Sequence, residues 1–329
     1  MDAPGRTSQR YEGLEESHHS QKRYIEMQEL VTQSELTTFS RCEHRHDLRY
    51  NKRLTTFEEH PALSMGSAFH AGIEAGSVDA ALEVLRGGEP VWDRFEEDAV
   101  RIREAIVTAM VEGALSHWTN WPKEQEVQFE VALRHPETGN ASKKHRLSGV
   151  FDGVWDGDHP DHPGEVVLGE WKTASMVNRD YMERLEIDFQ VSTYSWAGSI
   201  KYKSPIRKTD YRIVKKPTIR QRKGESVDEF SERVRFDYVE RPDHYFFRET
   251  VTRTDEQLDR WQRQAWAIHS RMLQIKSEKL SAIQNTGSCL NRGRCPYFDL
   301  CVGAVGEDAF RKLDTKHREL RSNTNGNSS

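Results

Sequence analysis

The 329-residue chain holds only four cysteines, Cys42, Cys289, Cys295 and Cys301. With nothing in the sequence to suggest export, these are expected to be free thiols or metal ligands rather than disulfides. No C-x-x-C pair is present, which excludes the short knuckles of an ordinary zinc ribbon. No apolar run approaches the roughly 20 residues that cross a bilayer. The N-terminal stretch MDAPGRTSQRYEGLEESHHSQKR lacks the apolar core of a signal peptide, so a cytoplasmic protein with no membrane partner is expected. No G-x-x-x-x-G-K-[ST] sequence occurs, which excludes a P-loop motor in this chain. Internal repeats are absent. So is an excess of one charge: 48 Lys and Arg stand against 53 Asp and Glu, for a net charge of -5. Partners must therefore be read from where charge lies rather than from its sum.

What is present suffices for a core. Hydrophobic residues make up 35% of the chain, with 8 Trp, 13 Phe and 10 Tyr. Residues 1–28 and the tail from residue 311 to 329 are polar and aperiodic, and are expected to be disordered. Between them, 29–310 reads as one domain. Thr32 and Glu35 have capping-box spacing, so a helix is expected over TQSELTTFSRCEHRHDLRYN. SMGSAFHAGIEAG and the spaced apolar positions of 78–118 read as further helices. EVQFEVALRH, HRLSGVFDGVWDG and GEVVLGEWKT read as strands, the last two joined by the turn DGDHPDHPGE. A helix over 180–202, strands TDYRIVKK and DHYFFRETV, and a long amphipathic helix from Asp255 complete the order. Helices, then strands, then mixed elements predict an α/β fold with a mixed central sheet flanked by helices.

One stretch does not fit a buried strand. In VVLGEWKTAS, Glu170 and Lys172 share a face with Val166 and Leu168 by the alternation of strand side chains. A hairpin would lay Asp152 of the preceding strand beside Glu170. Two neighbouring carboxylates repel unless a cation lies between them or one takes a proton. Magnesium and manganese accept one or two carboxylates plus waters. A lysine beside such a cation could activate water or stabilise charge on a phosphate. An isolated Glu-x-Lys is more often a simple ion pair, so the weight rests on the surrounding residues.

Those residues are GVFDG, GEWK, FQVSTY with Gln190 and Tyr194 one helical turn apart, and Gly66 with His70 on one helix face. Together and in this order they resemble the PD-(D/E)XK nuclease superfamily, specifically its RecB-like branch. The resemblance implies a restriction-endonuclease-like core and metal-dependent DNA hydrolysis with Mg2+ or Mn2+. It implies Asp152 and Glu170 as metal ligands, helped by His70 and the Trp171 carbonyl. Lys172 would act on the attacking water or the phosphate, and Gln190 and Tyr194 would position the DNA backbone or the lysine. Glu126 or Glu130 would be a further acidic member; the sequence does not choose between them. Glycine at 66 is expected to let its helix approach the sheet closely.

CLNRGRCPYFDLC sets Cys289, Cys295 and Cys301 with five residues between neighbours, and Cys42 lies far upstream. Four thiolates can hold an iron–sulfur cluster. Iron–sulfur members of the same branch use one N-terminal and three C-terminal cysteines around a [4Fe–4S] cluster. The resemblance therefore implies that the cluster joins the N-terminal helical part to the Cys-rich end. Lys201 to Lys223 contains ten Lys or Arg and one acidic residue, whereas 147–170 contains six acidic residues and no Lys or Arg. A basic surface beside an acidic site suits a polyanionic substrate. Tyr202 and Tyr211 are candidates to stack on unpaired bases. The implied protein is a DNA exonuclease of phage or bacterial recombination, repair or genome processing. It would work alone or beside a separate helicase, recombinase or integrase. Two alternatives stand: a non-catalytic iron–sulfur DNA-binding or assembly subunit, and a CRISPR adaptation nuclease that trims DNA ends. DHPDHP is read as a proline-rich turn.

Overall fold

The computed structural model describes residues 28–57, 61–87, 94–291, 293–317 and 320. The tail expected over 1–28 lies outside these except for Gln28, as does most of the segment beyond His317. The sheet is built from β1 (Glu29–Thr32), β2 (Glu124–Arg134), β3 (Ala141–Asp156), β4 (Val166–Ala174), β5 (Lys208–Lys215) and β6 (Phe246–Thr252). β3 is its centre. β2 runs antiparallel along one edge of β3. On the other edge β1 pairs parallel with residues 145–148, and β4 pairs antiparallel with residues 153–156. β5 then joins β4 in parallel and β6 joins β5 antiparallel. The expected mixed sheet is thus present.

Helices cover both faces. On one lie α1 (Gln33–Arg41), α6 (Phe189–Tyr202) and α8 (Asp255–Glu278). They bury Leu36, Phe39, Ala197, Trp261 and Ala265 against Phe129, Leu147, Phe151 and Leu168 of the sheet. On the other lie α2 (Pro61–Ala75), α3 (Val78–Arg86), α4 (Arg94–His117) and α7 (Val227–Glu240). They bury Phe69, Ile73, Leu85, Met110 and Val234 against Trp155, Val167, Trp171 and Val214. A sheet buried on both faces cannot alternate apolar with polar, which is why its central strands read as nearly continuous apolar runs.

Three expectations change in detail. The helix expected over 180–202 is two: α5 (Arg179–Leu185) ends, and Asp188 caps α6 by accepting the Val191 N–H at 3.0 Å. The first helix stops at Cys42, whose extended backbone (φ -164°, ψ 110°) breaks it before a second short turn over Glu43–His46. Gly66 does not mark a close approach: a Cβ there would sit 3.9 Å from Thr173 Oγ1, an ordinary contact. The tight crossing is at Gly72, where a Cβ would meet Val111 at 2.8 Å and Ala81 at 2.9 Å.

The ordered chain also runs past residue 310. Arg311–Lys312 pairs with Leu54–Thr55, and the next residues reach the start of α1. Thr32 caps α1 as its spacing predicts, accepting the Glu35 N–H. The Glu35 side chain turns inward instead, to His46 at 2.8 Å, Lys316 at 2.8 Å and His317 at 3.2 Å. Burial alone would raise the Glu35 carboxyl. Hydrogen bonds from His317 and His46 and the charge of Lys316 outweigh it, and hold the group well below its ordinary 4.5. Because the folded value is depressed, this stabilisation is complete above about pH 5 and is lost as pH falls further. Glu35→Ala strands three buried or half-buried partners and should cost about 3 kcal/mol in urea unfolding at pH 7. The difference from wild type should shrink toward pH 3; a variant as stable as wild type at pH 7 would remove Glu35 from this role.

Candidate active site

The site lies where β3 and β4 part. Their ladder begins at Gly153 and Gly169 and runs away from the site. At the fork, the Trp171 N–H is taken by the Asp152 side chain, at 2.7 Å to Oδ2. A carboxylate has replaced the backbone carbonyl as ladder partner. Regular alternation is interrupted here: Phe151 and Val154, three residues apart, pack into the same apolar cluster. On β2, the residue opposite this point is Glu126, with a left-handed φ of 51°. That conformation is uncommon outside glycine and asparagine, and is the kind of local cost that functional positions carry. It turns the Glu126 carboxylate toward Asp152.

α2 closes the group from one face of the sheet. His70 Nδ1 lies 3.7 Å from Asp152 Oδ1 and 4.0 Å from Glu126 Oε1. Among the described residues, His70, Glu126 and Asp152 are the group whose ligand atoms all fall within 4.8 Å of one another. Of the two glutamates left open by the sequence, Glu126 is at the site. Glu130 is exposed and lies 3.8 Å from Arg146. Both occupy even positions of one strand, so periodicity could not separate them; the backbone at 126 does.

α6 closes the group from the other face. Gln190, in its first turn, donates to Glu170 Oε1 at 2.8 Å. Glu170 is 1% exposed and ion-paired with Lys172. Its second oxygen, Oε2, is buried without a hydrogen-bond partner among the described residues. Tyr194, one turn further along, sets its ring edge-on to Phe129 and Phe151 at 5.7 and 5.3 Å. Glu170 thus stands beside the three-ligand group rather than within it, because Lys172 supplies its counter-charge.

The electrostatics fit this arrangement. Burial, then the Asp152 charge, push the Glu170 carboxyl up to about 8 despite Lys172. Burial pushes Asp152 up to about 6, against Lys172 and the Trp171 N–H. Burial, reinforced by Lys172, lowers the His70 imidazole, which also hydrogen-bonds the Trp171 backbone. Burial would lower the Lys172 ammonium, but Glu170 and Asp152 outweigh it and raise it above its ordinary range. Two strained carboxyls, a neutral imidazole and an orphaned buried oxygen make a donor set short of positive charge. The hard oxygen ligands suit a magnesium-like cation.

Residues 30–302 match the family model of the PD-(D/E)XK nuclease superfamily. The chain belongs to that superfamily. A crystal structure from Eubacterium rectale, described as "Putative exonuclease", is similar in fold at 12% identity. Its TM-score is 0.51, over 92% of this chain and 95% of that one. No curated protein matches the sequence. Asp152, Glu170 and Lys172 of this PD-(D/E)XK chain all lie within the matched residues.

The basic stretch is not one surface. Arg207 bonds Asp255, Lys208 bonds Glu165 at 2.6 Å, and Lys201 bonds the Gln128 carbonyl at 3.2 Å. Arg212 is buried in the sheet. Lys203, Arg220, Arg222 and Lys223 are exposed. Tyr211, 4% exposed, packs with Leu185 and Val191 beside Glu170, where an unpaired base cannot reach it. Strand alternation within a doubly covered sheet accounts for both buried residues.

The cysteines converge. Cys42 Sγ accepts the Arg45 and Asn285 N–H groups, each at 3.4 Å. Cys295 and Cys301 pack around Leu48, Leu54 and Tyr297. Burial raises the Cys301 thiol, and Cys295, Cys289 and Cys42 each add to the effect, so all four thiols are electrostatic neighbours.

Proposed function

We propose that the protein is a metal-dependent DNA exonuclease of the RecB-like, iron–sulfur type. Its setting would be phage or bacterial recombination, repair or genome processing. The observation that carries the reading is the meeting of His70, Glu126 and Asp152 beside the Glu170–Lys172 pair at a fork in the sheet. His70, Glu126 and Asp152 would hold Mg2+ or Mn2+, with the orphaned Glu170 Oε2 and the Trp171 carbonyl next in reach. When bound, such a cation lowers the pKa of its water and draws charge from a phosphate oxygen. The chain's own groups supply the rest. Lys172, held protonated, donates to the phosphate or the attacking water and does not serve as the base. Gln190 fixes the Glu170 carboxylate by its hydrogen bond. His70, kept neutral, offers a lone pair rather than a repelling charge.

End-labelled single- and double-stranded DNA tests the reading, with Mn2+ or EDTA, beside Glu170→Ala. Metal-dependent release of label by wild type alone is expected. DNA binding without metal-dependent degradation would favour a non-catalytic subunit instead.

The cluster is supported by the four converging thiols. A zinc ion bonds sulfur at about 2.3 Å, which would bring tetrahedral ligands to roughly 3.8 Å of one another. Metal analysis separates such a zinc site from a [4Fe–4S] cluster. N–H groups directed at Cys42 Sγ are also suited to a thiolate ligand. Anaerobically purified protein should carry about four iron and four sulfide per chain. Cys295→Ser should bleach it and lower its Tm. One zinc per chain and no iron would reject the cluster.

A further inference from the structure

Directly behind the site, a cation is buried. Arg212 of β5 is 1% exposed and is the register partner of Trp171 on β4. Its guanidinium carbon lies 4.7 Å from the Trp121 ring centre, 5.2 Å from those of Trp155 and Trp171, and 5.5 Å from that of Trp118. Asp210 Oδ2 accepts from its Nε at 3.1 Å and its Nη2 at 2.8 Å. Nη2 also donates to the Asn120 carbonyl at 3.0 Å, which fixes the plane of the group. Nη1 is buried with no hydrogen-bond partner among the described residues, so indole faces are what it has instead.

The same network gives the DHPDHP turn a role other than reversing the chain. His159 Nε2 lies 3.4 Å from Asp210 Oδ2, and its ring packs edge-on to Trp155. Arg248 bridges Asp210 Oδ1 and Asp161 Oδ2, at 2.8 and 2.7 Å. The turn therefore closes over the charged pair from outside.

We propose that Arg212 is a positioning residue for the metal-holding group, acting through Trp171. The Trp171 peptide holds Asp152 by its N–H and hydrogen-bonds His70, while its indole packs on the face of the sheet that α2 covers, away from Glu170. That indole is confined. It meets Trp121 edge-on at 5.0 Å and Trp155 at 5.9 Å. It also lies across the backbones of both forking strands: a Cβ at Gly169 would come 2.4 Å from its Cη2, and one at Gly153 would come 2.9 Å from its Cζ2. The glycines flanking Asp152 and Glu170 are thus the slot for this ring. An apolar side chain at 212 would fill the volume and avoid the desolvation of a charge, and such replacements are often no less stable. What arginine adds is direction. Its fork is tied to Asp210 and Asn120, and its faces orient the indoles around it. Fixing the ring fixes the peptide, and the peptide sets the spacing of Asp152 and His70.

The inference rests on the metal-site reading above, and its test keeps the two apart. Mn2+ binding to DNA-free protein is measured by electron paramagnetic resonance, beside kcat and KM for cleavage. Arg212→Met with Asp210→Asn removes both buried charges together. It should weaken Mn2+ binding about 10-fold or more, the scale of losing an outer support of a metal site. kcat should fall with it and KM for DNA should not change. Arg212→Met alone, or Trp121→Phe should the charge-free pair not fold, is expected to move Mn2+ affinity in the same direction. Val234→Ala, in α7 on the same side of the sheet, should lower Tm without altering Mn2+ affinity. Folded Arg212 and Trp121 variants that bind Mn2+ like wild type would overturn the inference. Wild-type protein that binds no Mn2+ would overturn the metal site itself. Binding lost in Asp152→Asn but unaccompanied by cleavage would overturn only the nuclease reading.

Discussion

Lys172→Ala should fold and bind Mn2+, yet degrade DNA about 100-fold or more slowly than wild type under single-turnover conditions. The fold should survive because Lys172 is only partly buried, at 31% side-chain exposure, and its partner has an alternative to charge. Glu170, already pushed up to about 8 with the lysine present, takes a proton more readily without it. The Gln190 amide still holds that carboxyl. Turnover has no such alternative. No other cation is described as paired with Glu170, and the charge that grows on a phosphate at the fork needs one. Lys172→Arg keeps the charge but not the reach, and should recover only part of the rate. Circular dichroism and Tm separate loss of fold from loss of chemistry. Turnover of Lys172→Ala within a fewfold of wild type would assign the lysine to structure alone.

Much of this site could be read from residue order, and the reasons are local. β3, the turn and β4 form one hairpin, so the 17 residues between Asp152 and Glu170 already bring the two together. His70 and Gln190 stand on segments that read as helices, and the superfamily resemblance names them as a set. The hidden parts depend on contacts between distant segments. β1 has four residues and an exposed first position, too few to show a period, and it exists because it pairs with residues 145–148 of β3. Glu126 differs from Glu130 by a left-handed backbone at a fork that only the assembled sheet creates. Arg212 reads as part of a basic surface until β4 and β6 flank it and four indoles surround it. Glu35 reads as half of a capping box until the residues after 310 return to it.

The site's own electrostatics give the second large effect, on stability rather than rate. Glu170 and Asp152 are raised above their ordinary 4.5 and 3.8, to about 8 and about 6. A carboxyl raised in the folded state makes folding take up protons. The metal-free protein is therefore most favoured, as far as these groups go, below about pH 4, and loses that advantage as pH rises through 6 to 8. Glu35 acts in the opposite sense but below pH 5, so the two windows do not overlap. At pH 8 in EDTA, Glu170→Gln should be more stable than wild type by about 2 kcal/mol, or roughly 5 °C in Tm for a domain of this size. At pH 4, where Glu170 is protonated in both the folded and the unfolded chain, the two should melt together. A divalent cation must displace those protons, so 1 mM Mn2+ should raise the wild-type Tm at pH 8 and barely move it at pH 5.5. It should do little for Glu170→Gln at either pH if Oε2 of Glu170 joins the bound ion. A metal-free Glu170→Gln that melts below wild type at pH 8 would mean that the Glu170–Lys172 pair stabilises the fold in its own right. The site would then hold no stored repulsion for a cation to relieve.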